Sequence, residues 1–251
     1  MPWISRGARV VTTRWPRRAD QYADRFPATV SPTSAFASPE MAEVCPTGAI
    51  RVDDDQVRVD RGRCILCGRC VRHFPRHFRF TPGSEIARLA RDALVVPELD
   101  ETDGAVRAVR DELSARTRAL RRSVHIRHID VGSDGADEWE VLALLNPIYD
   151  VHRLGIFFTA SPRHADILLV TGVGTRGMRE PLARTLDALP RPCVVIAAGT
   201  DAISGGLVHP TYATHGGIAD LVPVDVWVPG SPPTPFSLLH GILLAIGRMS
   251  S

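Results

Sequence analysis

Four cysteines fall between positions 45 and 70: Cys45, then Cys64, Cys67 and Cys70 in a C-x2-C-x2-C run. Three thiolates in so short a segment can wrap one corner of a metal cluster, which fixes the local backbone before any other part of the chain is considered. A disulfide framework normally has an even number of cysteines behind a secretion signal. This chain has five, the last being Cys193, and Arg6 and Arg9 near its start have no apolar stretch behind them. The Arg17-Arg18 pair is followed by Ala-Asp-Gln-Tyr, which is not a twin-arginine export signal. These features predict a cytoplasmic chain whose clustered thiols bind metal.

The segment Asp60-Arg-Gly-Arg-Cys64-Ile-Leu-Cys67-Gly-Arg-Cys70 has the spacing of a [4Fe–4S] ligand set, with Gly68 letting the backbone turn close to it. The bacterial ferredoxin pattern continues x3-C-P, and that fourth cysteine serves the other cluster of a two-cluster protein. Here the position is Phe74, followed by Pro75. Cys45-Pro46 is the mirror case, because Met41, Ser38 and Ala35 stand where its own triplet would be. Both halves of one site are lost and both halves of the other are kept. The expectation is a one-cluster ferredoxin-like domain in which Cys45, Cys64, Cys67 and Cys70 hold one [4Fe–4S] cluster. A four-thiolate zinc site and a vestigial iron site are the alternatives on spacing alone. Cys193 opens the apolar run Cys-Val-Val-Ile-Ala-Ala, where a free thiol packs as a small hydrophobe.

At 251 residues the chain suits one large domain or two small ones. Thirty basic residues, all arginine, face twenty-eight acidic ones, a balance that argues against a nucleic-acid binder. Residues 1–97 are rich in arginine, proline and short strands, with Ile50–Val52 and Val57–Val59 predicted as a hairpin around Asp53-Asp54-Asp55. Val106, Val109, Leu113 and Leu120 recur at helical spacing, so residues 98–122 are expected to link two units through an amphipathic helix. In residues 123–251 strands are expected at Val124–Ile129, Gly155–Phe158, Ile167–Thr171, Val194–Ala198 and Val224–Val228. Helices are expected at Glu138–Leu145, Met178–Leu189 and Pro235–Met249. Such alternation implies a parallel sheet covered on both faces, with its working site at the carboxyl ends of the strands. The fold class is therefore an α+β ferredoxin-like domain followed by an α/β flavodoxin-like domain. The apolar run Phe236–Gly247 contains His240 and is too short to span a membrane.

Specific motifs in the second unit carry a family resemblance. They are Asn146-Pro-Ile-Tyr149-Asp-Val-His-Arg153-Leu-Gly155, Ser161-Pro-Arg-His-Ala-Asp166, Ala198-Gly-Thr-Asp-Ala-Ile-Ser-Gly-Gly206 and Val222-Pro-Val-Asp-Val-Trp-Val-Pro-Gly-Ser-Pro-Pro233. Residues 124–248 resemble the small subunit of membrane-bound [NiFe] hydrogenases and of formate hydrogenlyase, and the complex I 20 kDa-type subunit. The first unit resembles the ferredoxin-like partner subunit of the same complexes, including the entry Thr13-Arg14-Trp15-Pro16, so two subunits that are often separate stand fused.

The resemblance also exposes a loss. The family holds its own [4Fe–4S] cluster with four cysteines from a G-S-C-N-G-C-E loop, a G-T-C-A segment and a P-G-C-P-P segment. The corresponding positions here are Asp134, Asp137, Asp201 and Ser231. Hard carboxylates suit Mg²⁺, Ca²⁺ or Mn²⁺ rather than iron–sulfur clusters. The expectation is that these residues cap the helix starting near Glu138 and fill a vacated cavity, with a divalent-metal pocket as the alternative.

No nucleophile, acid–base pair or phosphate-binding glycine loop supports chemistry by this chain alone. What the resemblance implies is an electron-transfer and scaffold subunit of a hydrogenase-, formate hydrogenlyase- or complex I-like oxidoreductase, partnered by large and membrane subunits and peripheral on the inner face of the membrane. A redox-inactive structural adaptor is the other reading. Five arginines with Trp3 and Trp15 in residues 1–18 suit docking on a partner or a membrane surface. Arg153, Arg163 and His164 are expected beside the former cluster, facing a large subunit.

Overall fold

A computed structural model describes residues 11–18, 25–33, 37–53, 56–97 and 123–249, with three further positions at 108, 111 and 115. The predicted linking helix otherwise lies outside the described residues, although Ala108, Asp111 and Ala115 are helical and exposed.

The first half is built from small antiparallel sheets. β1 (Pro27–Pro32) pairs with β4 (Phe78–Pro82), aligning Val30 with Phe80. The predicted hairpin forms as β2 (Ile50–Asp53) and β3 (Gln56–Asp60), with Ile50 opposite Val59 and Val52 opposite Val57. β5 (Val95–Val96) extends it beyond β3. Two short helices, α1 (Pro39–Glu43) and α2 (Arg69–His73), follow Ser38 and Gly68. Alternation along β3 turns Val57 and Val59 inward, where they meet Val30, Met41, Ile50, Cys70, Phe78 and Val96 in one core.

The second half alternates strand and helix as expected. Its strands are β6 (Val124–Asp130), β7 (Ile156–Phe158), β8 (Ile167–Thr171), β9 (Val194–Ala198) and β10 (Val226–Val228). Its helices are α3 (Ala136–Ala143), α4 (Arg179–Ala188), α5 (Thr200–Ser204) and α6 (Pro235–Ala245). The strands form one parallel sheet in the order β10-β9-β8-β6-β7. Counted from β6, that is the 2-1-3-4-5 order of flavodoxin-like sheets, and its switch point lies between β6 and β8.

Both faces of the sheet are covered, so β8, β9 and β10 are buried throughout and almost wholly apolar, whereas β6 (Val-His-Ile-Arg-His-Ile-Asp) keeps an alternating pattern. Ile167 and Leu169 of β8 face a core closed by α3 and α6, while Leu168 and Val170 face another closed by α4 and α5. Each fully buried Leu or Ile contributes about 1.5–3 kcal/mol. α6 is buried along its whole length and starts at Thr234, whose hydroxyl accepts from the Ser237 N–H at 3.2 Å. Among the described residues no helix is long and apolar enough to cross a membrane.

The halves share their cores. Ala87 and Leu89 join the α3/α6 core, and Leu94 joins the α4/α5 core. Arg88 and Trp227 exchange backbone hydrogen bonds at 2.9 and 2.8 Å, and the Ala87 N–H donates to His240 Nδ1 at 3.1 Å.

The described part of the arginine-rich arm corrects its expected role. Trp15 is 4% exposed and packs edge-on against Phe236 at 5.7 Å, so it serves this chain's own core. Thr13 N–H donates to the Ile148 carbonyl at 2.8 Å, and Arg153 Nη2 to the Trp15 carbonyl at 2.5 Å. Trp3 lies outside the described residues.

Candidate functional site

The four clustered cysteines line a single pocket. Cys45 enters from the turn after α1, and Cys64, Cys67 and Cys70 from the loop running into α2. The pocket is open in part to solvent, and Val30, Ile50 and Val59 give it apolar walls. Leu66 and Gly68 both take the left-handed conformation (φ 53° and 69°), which lets this short loop curl back on itself. Added at Gly68, a Cβ would stand 3.0 Å from the Phe80 ring, so that turn is closed to larger residues.

Backbone donors meet the sulfurs. The Ala49 N–H points at Cys45 Sγ at 3.2 Å, and the backbone at Leu66 and Val71 hydrogen-bonds the Cys64 and Cys70 thiols. Burial pushes the Cys64 thiol up to about 12, and the neighbouring sulfurs of Cys70, Cys45 and Cys67 add to the rise. Burial raises Cys70 too, with Cys45 and Cys67 contributing. Four soft donors that repel one another as thiolates are a set that bound iron would relieve. Among the described residues, no three of His, Cys, Asp or Glu converge as a single metal ion would need. A cubane takes one thiolate at each of four separate irons, whereas a zinc site draws all its ligands to one point, about 2.3 Å from each sulfur.

Asp60 anchors the cysteine loop. Arg91 grips its carboxylate with two bonds of 2.9 and 2.7 Å, and the Gly62 N–H donates to the same carboxylate at 2.9 Å. Sequence reasoning missed this clamp because Arg91 lies 31 positions away and has no pattern of its own. Two of the positions at which a second ligand set would fall, 41 and 74, hold apolar side chains, and a third, Ser38, is half-buried. Met41 is fully buried, and Phe74 packs edge-on against Phe78 at 6.4 Å. Ala35 lies outside the described residues. Cys193 is buried in the α4/α5 core, as its run predicts.

A second, acidic site lies at the carboxyl ends of the parallel strands. Asp130 ends β6, Asp134 follows it, Asp137 and Glu138 open α3, and Asp201 opens α5 after β9. The expected capping holds for Asp134, whose Oδ1 accepts from the Ala136 N–H at 2.9 Å. It fails for Asp137, which sits inside the first turn of α3 with a buried Oδ2 that has no hydrogen-bond partner. Burial pushes Asp137 up to about 8, with the negative charges of Asp201, Glu138, Asp134 and Asp130 adding to the rise. Asp201 is raised by burial and by Asp134 and Glu138. Ser231 is exposed, next to Gly230, whose carbonyl accepts from the Thr200 N–H at 2.7 Å.

Arg153, Arg163 and His164 do not stand beside this pocket. They lie in the turns just before β7 and β8, at the amino edge of the sheet, whereas the aspartates lie at its carboxyl edge. Arg163 and His164 are exposed there.

The two sites meet through α5. Thr200 Oγ1 donates to the Cys64 carbonyl at 3.2 Å, and Ser204 Oγ to the Gly62 carbonyl at 2.8 Å. The cysteine loop thus rests on the helix that carries Asp201.

Comparison with known proteins places the second half. Residues 135–245 match the model of the NADH ubiquinone oxidoreductase 20 kDa subunit family, a stretch that includes Asp137, Asp201 and Ser231 but none of the four clustered cysteines. Formate hydrogenlyase subunit 7 of Escherichia coli (strain K12) is 40% identical over 159 residues, 63% of this chain and 61% of that protein. The probable membrane-bound hydrogenase subunit mbhJ of Pyrococcus furiosus is 39% identical over 131 residues, 52% of this chain and 78% of that protein. An NADH-quinone oxidoreductase subunit of Rhizobium meliloti (strain 1021) is 49% identical over 96 residues, 38% of this chain and 57% of that protein. The chain thus spans about three fifths of the length of the first and last of these relatives. With this identity across more than three quarters of the Pyrococcus protein, the chain belongs to the NADH ubiquinone oxidoreductase 20 kDa subunit family.

Proposed function

We propose that this chain is an electron-transfer and scaffold subunit of a membrane-associated oxidoreductase of the hydrogenase, formate hydrogenlyase or complex I type. It fuses a ferredoxin-like domain (residues 1–97) to the family domain (residues 123–251) through a linking helix (residues 98–122). Cys45, Cys64, Cys67 and Cys70 hold one [4Fe–4S] cluster, which supplies one-electron transfer when bound. The observation that carries this reading is that all four cysteines, 25 positions apart at their extremes, line one apolar-walled pocket.

The chain's own residues supply the rest. Ala49, Leu66 and Val71 direct backbone hydrogen bonds at the sulfurs, which stabilises thiolate charge and tunes whatever metal they bind. The Asp60–Arg91 clamp fixes the loop that presents three of the four ligands. At the second site the soft ligands are replaced by three carboxylates and the exposed Ser231, so electrons enter and leave through the first cluster alone. The relatives are named as subunits of formate hydrogenlyase, of a membrane-bound hydrogenase and of an NADH-quinone oxidoreductase, which supports partner subunits and a membrane-associated complex. Large and membrane partner subunits and a peripheral place on the inner face of the membrane belong to the proposal.

Anaerobic purification followed by iron and sulfide analysis tests the reading. About four irons and four sulfides per chain are expected, as one cubane requires. Cys64→Ser should remove most of them and Cys193→Ser should leave them in place. Zinc in place of iron, or about eight irons per chain, would overturn it.

A further inference from the structure

The acidic side chains at the carboxyl edge of the sheet are not equivalent. Both oxygens of Glu138 are partnered: Thr171 Oγ1 donates to its Oε1 and Ser133 Oγ to its Oε2, the latter at 2.5 Å, with His128 Nε2 3.8 Å from Oε1. Asp130 Oδ1 accepts from the N–H groups of Gly132 and Ser133 at 2.7 and 2.8 Å, and Asp134 from that of Ala136. Asp137 is different. It is 5% exposed, its Oδ2 is buried without a partner, and its carboxyl group fills the space that a side chain on Gly199 would take.

An ionised Asp137 would be a buried charge without a counter-ion, which costs several kcal/mol. The charged groups facing it are acids from every neighbouring element: Asp130 and Asp134 from the end of β6 and its loop, Glu138 from α3, and Asp201 from α5. The histidine at the pocket, His128 on β6, is directed at Glu138 and Thr171 rather than at Asp137. Among the described residues, these carboxylates do not form a group placed to hold a single metal ion. A proton is the ligand that removes the conflict, and the pocket sits where doubly wound sheets place their ligands, at the switch point between β6 and β8.

We propose that this pocket is a proton-binding site, in which Asp137 carries the proton as a neutral carboxylic acid beside Glu138, whose two oxygens are occupied by the hydroxyls of Thr171 and Ser133. Two carboxyl groups adjacent in sequence thus differ in their surroundings: both oxygens of Glu138 have hydroxyl partners, and the buried Oδ2 of Asp137 has none. The site needs no cofactor and stands whether or not the cysteine pocket holds a cluster.

Unfolding equilibria of the full chain and of Asp137→Asn, measured from pH 5 to pH 9, test it. The folded value of about 8 lies above the unfolded 3.8, so the folded state binds this proton more tightly. The associated stability is fully present below about pH 4 and is lost as pH rises to about 8. Asparagine mimics the neutral acid and has no such loss. Its folding equilibrium constant relative to the parent should rise by roughly tenfold or more between pH 5 and pH 9. Asp201→Asn keeps the acid but removes a facing charge, and should move the parent's transition to lower pH. An infrared band of a protonated carboxyl at pH 7 that disappears in Asp137→Asn is the direct signature. A pH-independent difference between the two proteins would overturn the proposal. So would a saturable rise in melting temperature with Mg²⁺, Ca²⁺ or Mn²⁺ that vanishes in Asp201→Asn, because the pocket would then be a cation site.

Discussion

Thr200 Oγ1 donates to the carbonyl of Cys64, 136 positions away, at 3.2 Å, and the same oxygen lies 3.4 Å from the Gly230 N–H. One hydroxyl therefore ties the cysteine loop of the first half to two segments at the carboxyl edge of the second. Ser204, one turn later, repeats the link to Gly62. The contact surface is tight as well as polar, because a Cβ on Gly62 would stand 2.7 Å from Ile203 Cγ2. The two halves are joined at their functional ends.

Thr200→Val keeps the shape and removes the hydroxyl, leaving a fully buried backbone donor and an acceptor with one partner fewer. Net loss of such bonds costs about 1–2 kcal/mol. The expected outcome is a lowered denaturant midpoint with an unchanged slope. An unshifted midpoint would mean that the Cys64 link contributes nothing to the joint.

Arg91→Met removes both bonds to Asp60, whose side chain is 9% exposed. The remaining carboxylate keeps the Gly62 N–H and a loose contact with Arg63 at 3.6 Å. Breaking one side of a buried pair costs about 3–5 kcal/mol, reduced here because Arg91 is 28% exposed, so about 2–3 kcal/mol is expected. Iron retention after mild heating should fall in parallel, because Asp60 fixes the loop that leads to Cys64. Full retention would detach the clamp from the cysteine site.

In chain prepared without metal, alkylation should distinguish the four cysteines. The thiolate is the reactive form, and burial pushes Cys64 up to about 12, so it is almost wholly thiol at pH 8. Cys67 is exposed and Cys70 is buried with a raised value. Mass spectrometry should find the label first on Cys67, with Cys64 modified only on unfolding or in strong alkali. Early labelling of Cys64 would show that its burial is absent in solution.

Different parts of this arrangement are legible for different reasons. Two of the parallel strands announce themselves because Ile167–Thr171 and Val194–Ala198 are buried on both sides and so are apolar but for the terminal Thr171. The Cys45/Cys64/Cys67/Cys70 set is legible because ligand spacing is a local property of the chain. β1 and β4 are not, since Pro27, Pro32 and Pro82 read as strand breakers, yet here they sit at strand ends that need no further donor. The burial of Trp15 is also hidden: an aromatic among arginines looks like a docking arm until Phe236 and Tyr149, themselves edge-on at 5.0 Å, are seen to enclose the space it fills. Asp137 reads as a helix cap from its place before Trp139. Its burial depends on α5, more than sixty positions later, and no local pattern reports that.

Gly172 tests the geometry on which the carboxyl edge depends. It follows β8 with φ +89°, a conformation that costs any residue with a Cβ. A Cβ there would also stand 2.7 Å from the Gly132 carbonyl carbon and 2.8 Å from the backbone nitrogens of Gly132 and Ser133. Those atoms are main chain, held by the two bonds to Asp130, and have no rotamer through which to yield. Gly172→Ala should therefore push apart the β6 and β8 ends where Thr171 reaches Glu138, at a cost of about 2–4 kcal/mol from strain and displaced backbone together. Gly177→Ala is the control, since a Cβ at that position meets nothing within 4 Å and φ is not in the left-handed region. It should change the unfolding midpoint little. Equal stability of the two variants would show that the paired ends of β6 and β8 tolerate a side chain and are not the rigid frame that holds Glu138 beside Asp137.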